Sequence, residues 1–218
     1  MSDRRDSAPP PASLADPAEF VATLIHSRQT VLPRRLMAPG PDERQLAAIV
    51  GAAAAAPDHG RLTPWRFVLV PERRRPDLAR VFADALLERD PSATAEQVGQ
   101  AREKAFRAPL LLLAVARLDG GALMADVGDD EPDEVDAGER LVSAGCALQN
   151  MLLTAHAMGF GASLTSGKAL RSQALRRLFR LADGEVALCF LSVGTVEKSR
   201  PARARPDPGL YLSELPPS

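Results

Sequence analysis

The sequence predicts an α+β fold in which a small central sheet is covered by helices. Three observations carry this. Helical patterns outnumber strand patterns, and the two alternate only in part. One strand, residues 109–117, is apolar without a break (Leu110-Leu111-Leu112-Leu113-Ala114-Val115-Ala116), which implies burial on both faces. One helix, residues 141–159, is small and apolar almost all round, so it must be buried centrally or in a subunit interface.

The elements follow in order. Residues 1–17 are polar and proline-rich with no apolar centre, and read as a disordered tail rather than a secretion signal. Residues 18–27 form an amphipathic helix with Phe20, Val21, Leu24 and Ile25 on one side. Residues 31–40 are an irregular link carrying Arg34 and Arg35. Pro41-Asp42-Glu43 starts a helix, with acids near the positive end of its dipole, which runs to about residue 56. Pro57 disfavours helix for Ala56, so a polar loop follows with Asp58, His59, Arg61 and Thr63. Loops held between stiff elements commonly carry binding chemistry.

Pro64-Trp65 leads into a strand over residues 67–70. Helices are expected over 75–88 and 94–106, then the strand 109–117. Residues 119–138 are acidic and glycine-rich (Asp129-Asp130-Glu131-Pro132-Asp133-Glu134); a solvated loop and a site-covering lid both fit, while the spacing does not suit calcium. The helix 141–159, about 28 Å long at 1.5 Å per residue, stops at Gly159-Phe160-Gly161. A basic amphipathic helix spans 170–181, a last strand 186–193, and a proline- and arginine-rich extension completes the chain. The domain limits read as 18–200, with 201–218 as a C-terminal extension.

Composition excludes several classes. The chain has 218 residues, 45% apolar and 25% charged, with a formal net charge of -1, and it lacks the basic face that nucleic-acid binding needs. No apolar run is long enough for a membrane span. Cys146 and Cys189 lie in apolar runs and read as buried free thiols, in keeping with a reducing, cytoplasmic setting. The three histidines lack metal-ligand spacing. There is no Gly-x-Ser-x-Gly elbow and no phosphate-binding glycine loop of the P-loop type. Binding loops without a catalytic dyad point to chemistry supplied by a cofactor.

Four blocks then resemble the nitroreductase family of FMN-dependent oxidoreductases, in particular its compact bacterial branch with Ala-Pro-Asp-His before Pro-Trp. They are His26-Ser27-Arg28-Gln29-Thr30; the stretch 56–65; the stretch 143–161, which opens Ser143-Ala144-Gly145-Cys146-Ala147-Leu148-Gln149-Asn150-Met151; and Phe190-Leu191-Ser192-Val193-Gly194-Thr195, read as strand and glycine turn. They occur in order from residue 20 to 195.

The resemblance implies a domain-intertwined homodimer with FMN at the interface, and NADH or NADPH as co-substrate. A hydride would pass through FMN to a small acceptor such as a nitroaromatic or quinone, with no side chain required as a catalytic acid or base and no metal. Arg28, Gln29 and Thr30 match the first FMN segment, where a guanidinium can grip the phosphate. His59 and Thr63 match a loop that reaches the FMN of the partner subunit, with Arg61 in the same loop. Leu164, Thr165 and Ser166 match the segment along the isoalloxazine ring. Residues 154–159 match a nicotinamide-nucleotide stretch. Lys198, Arg200, Arg203 and Arg205 offer phosphate partners or form an exposed basic tail.

The chain departs from the family pattern in places. Gln29 replaces a frequent second arginine, and Thr63 a frequent glutamine. Leu164-Thr165 replaces a tryptophan–arginine pair. Leu32 lies where relatives carry a cation near flavin N1, which Arg34 or Arg35 would have to supply. Two alternatives stay open on the same fold: a flavin-dependent dehydrogenase or flavin-modifying enzyme, and a non-catalytic flavin-binding module.

Overall fold

A computed structural model describes residues 16–119, 135–198 and 204–215. Nearly all of the tail 1–17, most of the acidic segment 119–138, and Arg200 and Arg203 lie outside the described residues.

The sheet has five strands: β1 (Leu36–Met37), β2 (Trp65–Leu69), β3 (Leu110–Arg117), β4 (Gly161–Thr165) and β5 (Glu185–Val196). The twelve-residue β5 is its spine, pairing antiparallel with β1, β3 and β4, while β2 pairs antiparallel with β3. The helices are α1 (Pro17–Ser27), α2 (Glu43–Gly51), α3 (Arg75–Arg89), α4 (Ala95–Glu103), α5 (Ala137–Ala157) and α6 (Gln173–Phe179).

The uninterrupted apolar character of β3 has the predicted cause. Leu110, Leu112 and Ala116 face a core shared with Ile49 of α2 and Ala144, Ala147 and Met151 of α5. Leu111, Leu113 and Val115 face the opposite core, with Leu78 and Val81 of α3 and Leu175 of α6. Side chains alternate across a strand, so both faces of β3 need apolar residues. Phe190 of β5 anchors the second core, with edge-on rings of Phe82 at 5.6 Å and Phe179 at 6.0 Å.

Several expected boundaries move. The helix expected to about residue 56 becomes α2 followed by a 3-10 turn, Ala52–Ala55. The helix expected over 94–106 likewise ends as α4 at Glu103, followed by a 3-10 turn, Lys104–Phe106. The span 170–181 splits at Ser172, whose hydroxyl accepts from the Leu175 N–H and caps α6. The central helix starts earlier, at Ala137, because the Asp136 carboxylate caps it by accepting from the N–H groups of Gly138 and Glu139. That start lies in the segment read as an acidic loop.

β1 and β4 were not expected as strands. The last strand runs on to Val196, so Gly194 is strand interior and not a turn. It pairs with Gly161 of β4. A Cβ on Gly194 would meet the Pro109 ring at 2.8 Å, so close packing is what requires glycine there.

Candidate functional site

The first candidate segment, residues 28–30, is pinned where two elements meet. α1 ends at Ser27, and the chain turns extended at Arg28 (φ -61, ψ 129). The Val31 N–H donates to the Ala162 carbonyl at 3.0 Å, and Thr30 bridges Ala162 of β4. Residues 28–31 thus lie along the edge of β4, close to the last turn of α5. There Ser27 Oγ and His156 Nε2 share a hydrogen bond of 2.8 Å.

Arg205, read from sequence as part of a basic tail, comes back to this point. It donates to the carbonyls of His26 at 3.2 Å and Arg28 at 2.7 Å. Burial, then the charge of Arg205, pushes the Arg28 guanidinium below its usual range. Burial, then Arg28, likewise pushes His156 down, so its imidazole is neutral at pH 7. Among the described residues no acid pairs with Arg28 or Arg205. Two guanidiniums, a hydroxyl and an imidazole with no acidic partner among the described residues have the chemistry to receive an oxyanion. Gln29 is partly buried and Thr30 exposed beside them.

The second segment lines a cleft of about 860 Å³. Thr165 and Ser166 form one side with Gly167, Leu32 and Arg34. Phe82 and Arg89 of α3, Gln97 and Gln100 of α4, and Lys104 and Arg107 form the other. Leu164 is not among the lining residues. It pairs with Leu191, which belongs to the α2/α5 core, whereas Thr165 pairs with Phe190 of the opposite core. Strand alternation therefore turns Leu164 away from the cleft. Of the two arginines expected to replace a cation at position 32, Arg34 lines the cleft and Arg35 does not.

The third segment stands apart. His59–Arg61 is a 3-10 turn, and the Asp58 carboxylate accepts from the Thr63 N–H at 2.7 Å. Gly60, Arg61 and Thr63 all have positive φ (69, 53 and 46). That conformation is unusual for an arginine and an outlier for a β-branched threonine, and strain of this kind collects at ligand-contacting loops. His59 Nδ1 lies 3.6 Å from Glu139 Oε2, both side chains more than half exposed. Glu139 is in the first turn of α5 and His156 in the last, about 25 Å apart at 1.5 Å per residue. Within one chain, His59 and Thr63 do not join Arg28 and Thr30.

Sequence reasoning missed the far wall of the cleft. Gln97, Gln100, Lys104 and Arg107 follow the 3-4-3 spacing of one helical face, and that polar stripe was the available signal. His156 lies in the stretch 154–159 singled out above, but nothing in the sequence signals its bond to Ser27, which arises only from the packing of α1 on α5. Among the described residues no three or more His, Cys, Asp or Glu group together to hold a metal, and no helix is long and apolar enough to cross a membrane.

Known proteins share this fold. The model of the nitroreductase family matches residues 25–195. A Haemophilus influenzae protein that carries the provisional name NAD(P)H nitroreductase is 32% identical over 183 residues, 83% of this chain and 92% of its own. Among solved structures, a nitroreductase-like family protein from Bacillus cereus superposes with a TM-score of 0.73 at 18% identity, covering 89% of this chain and 95% of its own. An FMN-dependent nitroreductase from Clostridium difficile R20291 superposes with a TM-score of 0.57 at 16% identity, covering 84% and 91%.

Proposed function

Because this chain belongs to the nitroreductase family and is an oxidoreductase of that type, we propose that it binds FMN and uses NADH or NADPH to reduce a small acceptor such as a nitroaromatic or quinone. The observation that carries this is the pair Arg28 and Arg205, without an acidic partner among the described residues, on the segment that leads to Leu32 in the wall of a cleft large enough for a ring system. A cleft of about 860 Å³ lies within the usual range for cofactor sites, roughly 300–1,000 Å³. The residues fit the group: a phosphate supplies the counter-charge that Arg28 and Arg205 lack. Thr30 offers a hydroxyl next to them. Thr165, Ser166 and the backbone of Gly167 line the ring position, and Arg34 and Lys104 favour negative charge there. Bound FMN would supply a two-electron carrier, which no side chain of this chain provides.

The same reading accounts for the separation of His59 and Thr63 from Arg28. From Leu141 to Ala155, α5 carries no charged residue. One face of it is buried on the sheet; the other, with Val142, Gly145 and Gln149, is exposed. Phe20, Val21 and Ile25 of α1 and Leu210, Tyr211 and Leu212 of the C-terminal arm are exposed as well. Apolar surface on this scale calls for a partner. Two copies related by a two-fold axis, with their α5 helices antiparallel, set the first turn of one helix beside the last turn of the other. The partner's His59 and the partner's Thr63 then approach Arg28 and Thr30. The site is complete only in a homodimer.

The direct test is anaerobic addition of NADH or NADPH to protein loaded with FMN. Bleaching of the visible flavin band by either nucleotide, followed by recovery on adding a quinone, is expected; a band that neither nucleotide changes would overturn the reading. A second expectation concerns Arg28→Ala. Loss of a charge-assisted contact costs about 1.5–3 kcal/mol, roughly ten- to a hundredfold in affinity. FMN binding, followed by flavin fluorescence, should weaken by that factor, while binding of riboflavin, which has no phosphate, should barely change.

A further inference from the structure

The cleft carries more positive charge than a flavin needs. Arg34, Arg89, Lys104, Arg107 and Lys168 line it, and among the described residues no aspartate or glutamate does. Composition does not explain this, since the whole chain has 27 basic and 28 acidic residues. Glu103 lies 3.5 Å from Arg107 Nη2. The other four have no ion-pair partner among the described residues. Arg107 Nε is buried with no hydrogen-bond partner among the described residues. A buried donor left unmatched calls for an acceptor atom at that place.

The charge demands of the cofactor are met by fewer residues. In the reading above, Arg28 and Arg205 hold the phosphate outside this cleft, and Arg34 and Lys104 serve the ring. Arg89, at the C-terminal end of α3, and Lys168, after β4, both line the cleft with nothing assigned to them. Cations of one sign lining a low-dielectric cleft raise the local concentration of anions and hold them there.

We infer that the cleft selects redox partners bearing a negative group, a carboxylate or a phosphate, and that Arg89, Arg107 and Lys168 are the residues that recognise it. The inference rests on the cleft being the flavin site. The negative group has two possible carriers, the acceptor or the 2′-phosphate of NADPH.

The experiment uses the flavin-loaded full chain and its Arg89→Gln/Lys168→Gln variant. One arm compares kcat/KM for 4-nitrobenzoate and uncharged 4-nitrobenzyl alcohol. A second compares NADPH with NADH. Calorimetric binding of benzoate and of benzyl alcohol gives a readout independent of turnover. The expected result is at least a tenfold preference for the charged member of one kinetic pair, weakening as salt rises and falling severalfold more for the charged than for the uncharged member in the variant. Preference in the first arm assigns the group to the acceptor and in the second to the nucleotide; where it is the acceptor, benzoate binds more tightly than the alcohol. Normal flavin loading with no charge preference in either kinetic pair, or a preference the variant keeps in full, overturns this inference and leaves the flavin reading standing. Failure to load flavin overturns both.

Discussion

Replacing Gly145 by arginine should leave a folded monomer that no longer holds FMN. Gly145 sits on the exposed face of α5, and a Cβ built there meets nothing within 4 Å in the single chain. Glycine in a helix interior is about 0.8–1 kcal/mol less favourable than alanine, and arginine ranks close to alanine. The isolated chain should therefore gain roughly that much stability. In the proposed dimer the same position lies in the seam between two α5 helices, where each copy would insert a charged side chain of several ångströms. A two-fold axis doubles every such clash. Sedimentation velocity should show a single chain, the visible flavin band should vanish, and the monomer should keep the far-ultraviolet helix signal and a cooperative urea transition. A flavin-loaded dimer of Gly145→Arg would show that α5 is not the seam.

Glu185→Ala should produce the largest loss of stability. Glu185 is 6% exposed at the start of β5. Its two oxygens accept from Arg66 Nε and Nη2, both at 2.6 Å, and from the Ala182 N–H at 3.0 Å, with Arg117 Nε at 3.4 Å. Removing one partner of a fully buried pair costs about 3–5 kcal/mol, because the charge left behind is neither solvated nor matched; Arg66 keeps 28% of its side chain exposed, which places the expected loss toward the lower end. Here Arg66 and Arg117 would both be left. Against a typical total of about 5–15 kcal/mol, that is a large fraction, and the urea midpoint at pH 7 should fall accordingly.

The same residue sets an acid limit. The hydrogen bonds from Arg66 come first among the causes that hold the Glu185 carboxyl down at about 2, against an ordinary value of 4.5. A depressed carboxylate contributes stability that is full above its unfolded value and is lost as the carboxyl protonates. Wild type should lose this contribution as the pH falls from about 4.5 toward about 2, and Glu185→Ala should lack that part of the slope. Equal acid slopes in the two proteins would show that the Arg66–Glu185 contact contributes no net stability.

How much of this was legible in the sequence depends on what each residue signals locally. The strand β3 announced itself, since its seven residues from Leu110 to Ala116 are buried on both faces and leave no room for polar ones. The segments around Arg28, His59 and Thr165, proposed to carry the chemistry, were each singled out by residue types and order. β4 was hidden because Gly161-Ala162-Ser163 reads as a helix stop, and small residues carry little strand propensity. β1, two residues long next to Pro39, exists only because Leu36 and Met37 find Val196 and Thr195 on β5. The start of α5 was hidden by Gly138, and only the Asp136 cap reveals it.

The site itself was readable in pieces but not in its assembly. Nothing local shows that Arg205 returns to the carbonyls of residues 26 and 28, or that α4 turns its polar stripe toward Thr165. Those are consequences of packing between segments far apart in the chain. Leu164 and Thr165, adjacent in sequence, part to opposite faces because β4 is a strand.

The central claim is that two chains together hold the flavin. Sedimentation equilibrium of FMN-loaded protein, followed at the visible flavin band, tests it most directly. The account predicts that the absorbing species has twice the 23.3 kDa chain mass and carries one flavin per chain. Flavin that sediments with a single chain, or a dimer that sediments without flavin, would contradict it.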